Sequence, residues 1–494
     1  MIIKENLDEI QNYLSDSSNL KGFCQKVYIP ENVDELIDCI KELYQNDVPY
    51  TISGAGTGLV GGRVPFDGVV VSTEKLNRIL EINEEEQYVV VEAGVVRSDL
   101  DSFLESKGFF LPPNPTETSS FIGGNIACNS SGSRTFKYGT MRDYVLALDI
   151  VLPDGEKVSL ERNNKSLVVN CNYTLEIKPS RVVEFKMPEV IYPNTTKNTA
   201  GYYLHRGMHT LDLFIGSEGT LGTITQAKIK ILPKPSNVLG LIIFFDDLLK
   251  AFDFLDLTRK LSRKSFNGNN QTNDHLISAR LIEFFDKNSL MLNFEEYPQI
   301  PKGSVCAFWI EQEYEQNREE QVVSAWLEHI AQFTPFTDQT WVAIEDSKHR
   351  EFAEFRHKIP VKVFEMLSQS QFQKIGSDVA TNDAVFRNYY FKLLRSLENS
   401  GLVYFIWGHF GNSHLHLNII PRNEQENQLA EKIFDEHIAE AIMLGGTYSA
   451  EHGTGKLKRK YFQMMFGSEI VQKMKEIKLK FDPKNLLNRG VLFF

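Results

Sequence analysis

Three histidines, His409, His414 and His416, lie within eight consecutive residues of the chain. A turn over residues 411–413 predicts a hairpin, and side chains two apart on its second strand share a face. His414, His416 and Asn418 would then point the same way, with His409 nearby across the turn. Converging imidazoles suit zinc or a similar divalent cation. The alternative is the polar face of a hairpin at the protein surface.

A second group of reactive side chains stands in the stretch 448–455, which reads YSAEHGTG. Glu451 could supply another metal ligand and His452 a general base, while the small neighbours leave room for a substrate. Alternatively, Glu451 stabilises the dipole of a helix N-terminus. Further upstream, Arg356 could bind an acidic group or lie on a solvated helix face.

A glycine-rich turn at residues 52–62 (ISGAGTGLVGG) follows a predicted strand. Successive N–H groups exposed by such a turn form a nest that suits a pyrophosphate. A glycine turn without a ligand is the alternative. A nicotinamide site is less favoured, because no acidic residue stands where the dinucleotide fingerprint requires one. Residues 112–144 and 214–222 are also rich in small residues, which predicts backbone that lies against a flat, polar ligand.

The bulk composition limits the partners. A net charge of -12 over 494 residues argues against nucleic acid as the main partner. Five widely spaced cysteines indicate a reduced, cytoplasmic protein without a disulfide framework. The first residues carry acids and resemble neither a secretory signal nor a transit peptide. The run Leu239–Phe245 is too short to span a bilayer, so membrane contact would be peripheral.

Alternating α and β segments are predicted to position these groups. Prolines 233 and 235 mark a boundary between two α/β regions. Helices are predicted over residues 5–50, 98–107 (with Ser98 as its cap), 427–444 and 468–480. Residues 267–273 are predicted to form a loop. The predicted strands cover residues 48–52, 69–71, 88–91, 145–151, 224–232, 242–245, 304–311 and 404–407.

The three glycine-rich segments resemble, in order and spacing, the FAD-binding domain of the vanillyl-alcohol oxidase / p-cresol methylhydroxylase (PCMH) superfamily over roughly residues 20–233. The resemblance implies that the first loop faces the FAD pyrophosphate. Because that loop has no histidine, which some relatives use for covalent attachment, it implies non-covalent FAD. The implied cofactor-binding residues are Ser53, Gly54, Ala55, Gly56, Thr57, Gly58, Leu59, Thr116, Thr118, Ile122, Gly123, Gly124, Asn125, Ser131, Gly132, Tyr138, Gly139, Glu218, Gly219, Gly222, Ile224 and Asn488.

The histidine stretches are similar to the C-terminal domain of the FAD-linked D-2-hydroxyacid dehydrogenases. That family includes cytochrome-linked D-lactate dehydrogenases, the glycolate oxidase D subunit and D-2-hydroxyglutarate dehydrogenases. Its pattern G-H-x-G-D-G-N-L-H-x-N is followed later by S-x-E-H-G-x-G. The resemblance implies that His409, His416 and Glu451 are metal ligands and that Asn418 binds the substrate. It also implies that His452 is the catalytic base and that Arg356 and Lys374 bind a substrate carboxylate.

One departure concerns His414, which stands where the family pattern has asparagine; it is a spare ligand or a polar filler. The pattern's D-G-N is Asn412-Ser413-His414 here. Residue 360 is proline where some D-2-hydroxyglutarate enzymes carry threonine. Asn488, in the matching ending FDPKNLLN, is implied to return towards the flavin.

The resemblance implies an α+β fold. A PCMH-type FAD-binding domain of two α/β subdomains would span residues 1–233. A C-terminal FAD-linked oxidase cap domain, an antiparallel sheet covered by helices, would span 234–494, with about 445–494 returning to the flavin.

The implied reaction is oxidation of a small D-2-hydroxy acid to the 2-oxo acid, such as D-lactate or D-2-hydroxyglutarate. It would use FAD, a Zn or Mn ion and an electron acceptor, which is a cytochrome, a quinone or an electron-transfer flavoprotein. Peripheral contact with the inner face of the membrane and a homodimer stay open. The alternatives are a glycolate oxidase D-type subunit, an alkylglycerone-phosphate synthase-like enzyme and a non-catalytic flavin- or metal-binding module.

Overall fold

The computed structural model describes residues 1–177, 181–267, 276–368, 372 and 375–494. The strands of these residues, numbered in chain order, are β1 (Ile2–Lys4), β2 (Val27–Ile29), β3 (Tyr50–Ser53), β4 (Val69–Ser72), β5 (Ile79–Asn83), β6 (Tyr88–Glu92), β7 (Phe109–Phe110), β8 (Val145–Val151), β9 (Lys157–Glu161), β10 (Asn172–Ile177), β11 (Arg181–Lys186), β12 (Thr223–Lys230), β13 (Leu232–Pro233), β14 (Asn237–Phe245), β15 (Ala279–Asp286), β16 (Cys306–Tyr314), β17 (Trp341–Ala343), β18 (Ile375–Gly376), β19 (Val379–Ala380), β20 (Val403–Gly408) and β21 (His414–Ile420). The α-helices are α1 (Leu7–Ile10), α2 (Val33–Gln45), α3 (Arg97–Ser106), α4 (Ile122–Ala127), α5 (Thr135–Tyr138), α6 (Leu248–Asn267), α7 (Lys287–Asn293), α8 (Glu319–Ala331), α9 (Asp346–Ser368), α10 (Asp383–Ser400), α11 (Glu424–Met443) and α12 (Arg459–Phe481).

The first sheet has the order β1-β2-β4-β3, and its last three strands are parallel. The prediction of a continuous helix over residues 5–50 is wrong, because the β-branched run of β2 pairs with β4. The longer helix of this range, α2, begins where the Asn32 side chain accepts a hydrogen bond from the Glu35 N–H. The glycine-rich turn follows β3, the edge strand of this sheet.

A second, antiparallel sheet has the order β5-β6-β12-β8-β9 and packs against α3 and α4. The predicted cap of α3 is wrong, since Val96 takes that place. The N–H groups of Arg97 and Ser98 donate to the carbonyls of Ser120 and Thr118, so the start of the helix is satisfied by backbone rather than by a serine hydroxyl. This contact fixes the loop that precedes α4.

The third sheet has eight antiparallel strands in the order β17-β14-β16-β15-β20-β21-β18, with β19 also on β21. Its two faces bury separate cores. One face, carrying Phe308 and Leu417 among others, packs against α6, α8, α10 and α11. The other face, carrying Phe285 and Trp407, packs against α9 through Phe355 and neighbours. Side chains that alternate along β21 therefore enter different surroundings.

The C-terminal segment returns to the first sheet. Helix α12 contains a non-helical residue at Gly467, so the predicted helix over 468–480 is the second part of a longer, kinked element. After it, Leu487 forms a parallel bridge with Tyr50, and Leu486 and Leu487 fill the core under α2. The domain boundary at residue 233 stays a prediction, although the strands before and after it form separate sheets. Most of the predicted loop 267–273 lies outside the described residues.

Candidate active site

The predicted hairpin forms, and its histidines are buried. Strands β20 and β21 pair antiparallel around a short 3₁₀ turn at residues 410–412. His414, His416 and Asn418 alternate with leucines and share the face that carries α9, as the pattern predicts. His414 is 0% and His416 7% exposed, so the alternative of a polar surface hairpin is wrong. Burial of three imidazoles at one place requires polar partners for each.

The Glu451 carboxylate joins this group through one oxygen. Its Oε1 lies 3.1 Å from His409 Nε2 and 3.4 Å from His416 Nε2. Glu451 sits in the loop between α11 and α12, eight residues before α12 begins at Arg459, so it does not act on a helix dipole as the alternative supposed. Two imidazole nitrogens around one carboxylate oxygen form a donor set that fits zinc or a similar divalent cation.

The second oxygen of Glu451 is held by residues of the N-terminal half. Lys197, which is fully buried, donates from Nζ to Glu451 Oε2 at 2.9 Å, and the Ser131 hydroxyl donates to the same oxygen at 2.9 Å. Burial alone would raise the pKa of Glu451, but Lys197 and His409 hold it well below its usual range. Glu451 therefore stays ionised and is oriented with Oε1 towards the histidines.

Lys197 was missed by sequence reasoning because no local pattern links it to a partner 254 positions away. Its neighbours in sequence are polar and small, which is typical of any loop. Only the tertiary fold brings its ammonium to the carboxylate.

Asp378 organises the loop that carries Glu451 and His452, and it was also missed. Its carboxylate accepts from the His452 N–H at 2.8 Å and from Lys458 Nζ at 3.1 Å. It also lies 3.0 Å from His414 Nε2. Burial would raise the pKa of Asp378, but His452, Lys458 and His414 keep it well below its usual range. One buried carboxylate thus ties the hairpin to the loop.

His452 lies beside the candidate ligands with its ring stacked on that of His416, 5.3 Å between centroids. Its Nε2 is 3.8 Å from Glu451 Oε1, and its Nδ1 is 3.6 Å from Asp378 Oδ2. Burial lowers the pKa of His452 to about 4, despite the opposing effect of Asp378. At neutral pH its imidazole is uncharged and able to accept a proton.

Arg356 points into the site rather than into solvent. It lies on α9, is 8% exposed, and places its Nε 3.6 Å from Glu283 Oε2. Glu283 in turn contacts His409 Nδ1, which connects the guanidinium to the histidine cluster. The alternative of a solvated helix face is therefore wrong. Asn418 is buried on β21, and Lys374 lies outside the described residues.

The first glycine loop has the features that a pyrophosphate needs. Among the described residues, the backbone N–H groups from Gly54 to Leu59 have no hydrogen-bond acceptor. A Cβ at Gly54 would meet only Phe121, at 3.8 Å, and one at Gly62 would meet nothing within 4 Å. Arg63, which sequence reasoning missed, donates to the Gly54 carbonyl at 2.9 Å and adds a positive charge beside the loop. The loop therefore fits an anionic cofactor.

Four other predicted cofactor residues differ in whether the protein itself explains them. Asn125 Nδ2 is buried without a partner among the described residues, which leaves a donor unexplained, and a Cβ at Gly124 would meet nothing within 4 Å, which leaves room for a ligand. Gly123 and Gly132, by contrast, are required by the protein itself. A Cβ there would come within 2.6 Å of Ala93 Cβ and 2.1 Å of the Asn114 carbonyl oxygen, respectively.

The surroundings of six further implied cofactor residues do not identify a ligand. The Tyr138 hydroxyl donates to Glu313 on β16. Thr116 and Thr118 are exposed in the loop before α4, and Ile224 is buried in β12. A Cβ at Gly139 would meet Asp143, and one at Gly222 would meet Ile150. Their roles towards FAD stay predictions.

Glu218 and Asn488 both bond backbone groups of other segments. The Glu218 carboxylate accepts from the N–H groups of Thr454 and Gly455, at 2.8 and 2.7 Å. Burial raises its pKa to about 7. Asn488 donates to the carbonyl of Gly219 at 3.0 Å and accepts from the Ile52 N–H at 2.8 Å. Both side chains join the glycine-rich segments to the C-terminal loops, so neither needs the cofactor to explain its burial.

The chain is similar to known proteins over nearly its whole length. A family model described as FAD binding domain matches residues 24–161, and one described as FAD linked oxidases, C-terminal domain, matches residues 271–492. Glycolate oxidase subunit GlcD of Bacillus subtilis (strain 168) is 30% identical over 483 residues, covering 94% of this chain and 88% of that protein. D-lactate dehydrogenase of Anaerostipes hadrus is 28% identical, covering 99% of this chain and 94% of that protein.

Two further matches differ in what they establish. D-2-hydroxyglutarate dehydrogenase of Stutzerimonas stutzeri (strain A1501) is 27% identical, covering 94% of this chain and 90% of that protein. A solved structure of alkyldihydroxyacetonephosphate synthase superposes with a TM-score of 0.66 at 17% identity, covering 98% of this chain and 81% of that one. At that identity the structural match establishes the fold alone. The predicted fold class is confirmed.

Proposed function

This chain belongs to the FAD-linked oxidase family, and on that premise we propose that it oxidises a small D-2-hydroxy acid to the 2-oxo acid. The observation that carries the proposal is the convergence of His409, His416 and Glu451 beside the uncharged imidazole of His452. Glycolate, D-lactate and D-2-hydroxyglutarate, after which these relatives are named, are all 2-hydroxy acids. When bound, FAD would accept a hydride and a divalent cation would lower the pKa of the hydroxyl.

The residues of the chain divide the work. His409, His416 and Glu451 would hold the cation, and Arg356 and Asn418 would bind the polar groups of the substrate. His452 would remove the hydroxyl proton, so that the two electrons and the hydrogen on C2 leave together as hydride towards the flavin. Lys197 and Asp378 would hold Glu451 and His452 in position. The proton thus goes to the protein, and the electron pair goes to the cofactor.

The charges of the site support an anionic substrate. Glu283, Asp378 and Glu451 are paired with Arg356, Lys458 and Lys197, respectively, at 3.6, 3.1 and 2.9 Å. Each buried carboxylate therefore has its own cation, and a bound divalent ion would add two positive charges. A substrate carboxylate and the negative charge that develops on its hydroxyl oxygen would match them.

Anaerobic mixing with a panel of D-2-hydroxy acids tests the proposal directly. Loss of the oxidised-flavin absorbance with at least one member is the expected result, and for each chiral member the L-enantiomer should leave the flavin oxidised. If D-lactate, glycolate and D-2-hydroxyglutarate all leave the flavin oxidised, the proposed substrate class is wrong. A glycolate oxidase D-type role would appear as a preference for glycolate. The histidine–carboxylate site favours a dehydrogenase over the alkylglycerone-phosphate synthase-like alternative.

We expect the protein to purify yellow and to release its FAD on denaturation. The loop 53–59 contains no histidine, so it offers no imidazole for covalent attachment. Acid precipitation followed by absorbance of the supernatant measures the released flavin. Colour that stays with the precipitated chain would show a covalent bond and contradict this prediction.

Arg356→Ala should raise KM by about 10–100-fold, because a charge-assisted hydrogen bond contributes roughly 1.5–3 kcal/mol. Steady-state kinetics over the acid panel measure this effect. Arg350→Ala is the matched control, since Arg350 lies on the same helix but is exposed. Equal KM values for wild type and Arg356→Ala would remove this arginine from substrate binding. A larger loss for dicarboxylic acids than for lactate would show that it binds the distal carboxylate.

The electrons would then pass to an acceptor, which we propose to be a cytochrome, a quinone or an electron-transfer flavoprotein. No helix among the described residues has both the length and the apolar character for a bilayer crossing. Peripheral membrane contact and a homodimer stay predictions.

A further inference from the structure

Each histidine of the cluster has one ring nitrogen facing an acceptor outside the cluster. His409 Nδ1 contacts Glu283 Oε1, and His416 Nδ1 lies 3.4 Å from the Ser377 carbonyl oxygen. His414 shares this arrangement, since its Nε2 lies 3.0 Å from Asp378 Oδ1. Metal-binding histidines typically donate their second ring N–H to a carboxylate or a carbonyl in this way. All three rings therefore have the orientation that is typical of metal-binding histidines.

The other nitrogen of His414 is unexplained. Its Nδ1 is buried and has no hydrogen-bond partner in the part of the chain that the structure describes. One ring nitrogen from each of His409, His414 and His416 and one oxygen of Glu451 lie within 4.8 Å of one another. A polar filler would be expected to have its buried atoms paired. Because Nε2 of His414 already faces Asp378, Nδ1 is the ring nitrogen left to bind a cation at this cluster.

We propose that His414 is a fourth protein ligand of the cation, so that three histidines and Glu451 form the site. This inference rests on the proposed function, which requires a cation at His409, His416 and Glu451. The family pattern has asparagine at this position, so the extra ligand distinguishes this chain from that pattern. Of the two roles that the sequence leaves open for His414, the unpaired Nδ1 favours the ligand over the filler.

A fourth ligand has a consequence for the choice of cation. Four protein ligands fill a tetrahedral zinc site, whereas catalytic zinc sites usually keep one position open. A 2-hydroxy acid that binds through its carboxylate and its hydroxyl needs two further coordination positions on the cation. The ligand set therefore fits a divalent cation that accepts six ligands better than tetrahedral zinc.

Co²⁺ binding to the full-length, FAD-loaded protein, stripped first with a chelator, tests the proposal. X-ray absorption at the cobalt edge counts the imidazole ligands, and competition with a coloured chelator gives Kd. We expect three imidazoles in the wild type and two in His414→Asn. We also expect Kd to rise in this variant by at least about 100-fold, the upper range for loss of an outer-shell partner. His409→Asn, which removes a family ligand, is the matched comparison.

Two imidazoles in the wild type, or an unchanged Kd in His414→Asn, would overturn the proposal and leave the proposed function standing. Failure of the wild type to bind Co²⁺ would overturn both. Three imidazoles in the wild type and two in His414→Asn, with no flavin reduction by any hydroxy acid, would support His414 as a ligand and contradict the proposed function. The wild-type count does not depend on whether a variant folds.

Discussion

Glu451→Gln should lose the cation and slow flavin reduction by at least about 1,000-fold while FAD stays bound. Glu451 Oε1 is the shared neighbour of His409 Nε2 and His416 Nε2, so a neutral amide removes the charge at the centre of the set. A bound cation supplies several kcal/mol of transition-state stabilisation, and about 4 kcal/mol corresponds to about 10³ in rate. Elemental analysis paired with stopped-flow absorbance measures both effects on one sample.

Two further variants distinguish loss of the cation from a folding defect. Glu451→Gln leaves the buried Lys197 ammonium without its counter-ion, which weakens the fold. His409→Asn should also lose the cation but keeps that ion pair. His437→Asn is the matched control, because His437 is a buried histidine that contacts Tyr389 and belongs to no candidate metal group among the described residues. Unchanged reduction after chelation of the wild type would show that the histidine cluster is only structural.

His452→Ala should keep full metal and full FAD yet reduce the flavin about 10²–10⁴-fold more slowly, the usual effect of losing a general base. Its imidazole lies 3.8 Å from Glu451 Oε1, farther than the nitrogens of His409 and His416. The same paired measurement separates base from ligand. His452 also belongs to a second group with Asp378 and His416, so loss of metal from His452→Ala would make it a ligand and contradict our assignment.

The pH dependence of flavin reduction tests the assignment of His452 as the base independently. Burial lowers the pKa of His452 to about 4, so the imidazole is already unprotonated at mildly acidic pH. Since the base acts when it is unprotonated, its contribution should be constant from about pH 6 to about pH 8 and fall only below about pH 5. A midpoint near the ordinary pKa of histidine would show that burial does not lower the pKa of His452, and a midpoint that persists in His452→Ala would contradict the assignment.

Part of the site was predicted from the strand period, and Glu451, His452 and Arg356 were predicted from motifs and from the family resemblance. Residues two apart on β21 must share a face of the sheet, so the strand period alone is enough to group His414, His416 and Asn418. The side chains that hold them, Glu283, Lys197 and Asp378, come from distant segments and follow no period. Pairing across such separations depends on the tertiary fold, which local patterns do not encode.

Small residues predict close approach without identifying what approaches. The stretch 112–144 is rich in them, and the structure has such approaches. At Gly123 and Gly132, however, the approaching atoms belong to Ala93 and Asn114 rather than to a ligand. The predicted start of α3 failed for a related reason, because its first N–H groups bond to backbone carbonyls of a later loop, which no capping residue signals.

The return of the C-terminal segment to β3 sets an order of events during synthesis. Leu486 and Leu487 belong to the core beneath α2, and the Tyr50 N–H donates to the Leu486 carbonyl. The nascent N-terminal half therefore emerges from the ribosome with this apolar pocket open, and it stays open until more than four hundred further residues have been translated. The Asn488 side chain then accepts from the Ile52 N–H at the edge of the glycine-rich turn, so this contact of the turn forms only after translation reaches that asparagine. Cofactor uptake should accordingly follow synthesis of the segment that carries Leu486, Leu487 and Asn488.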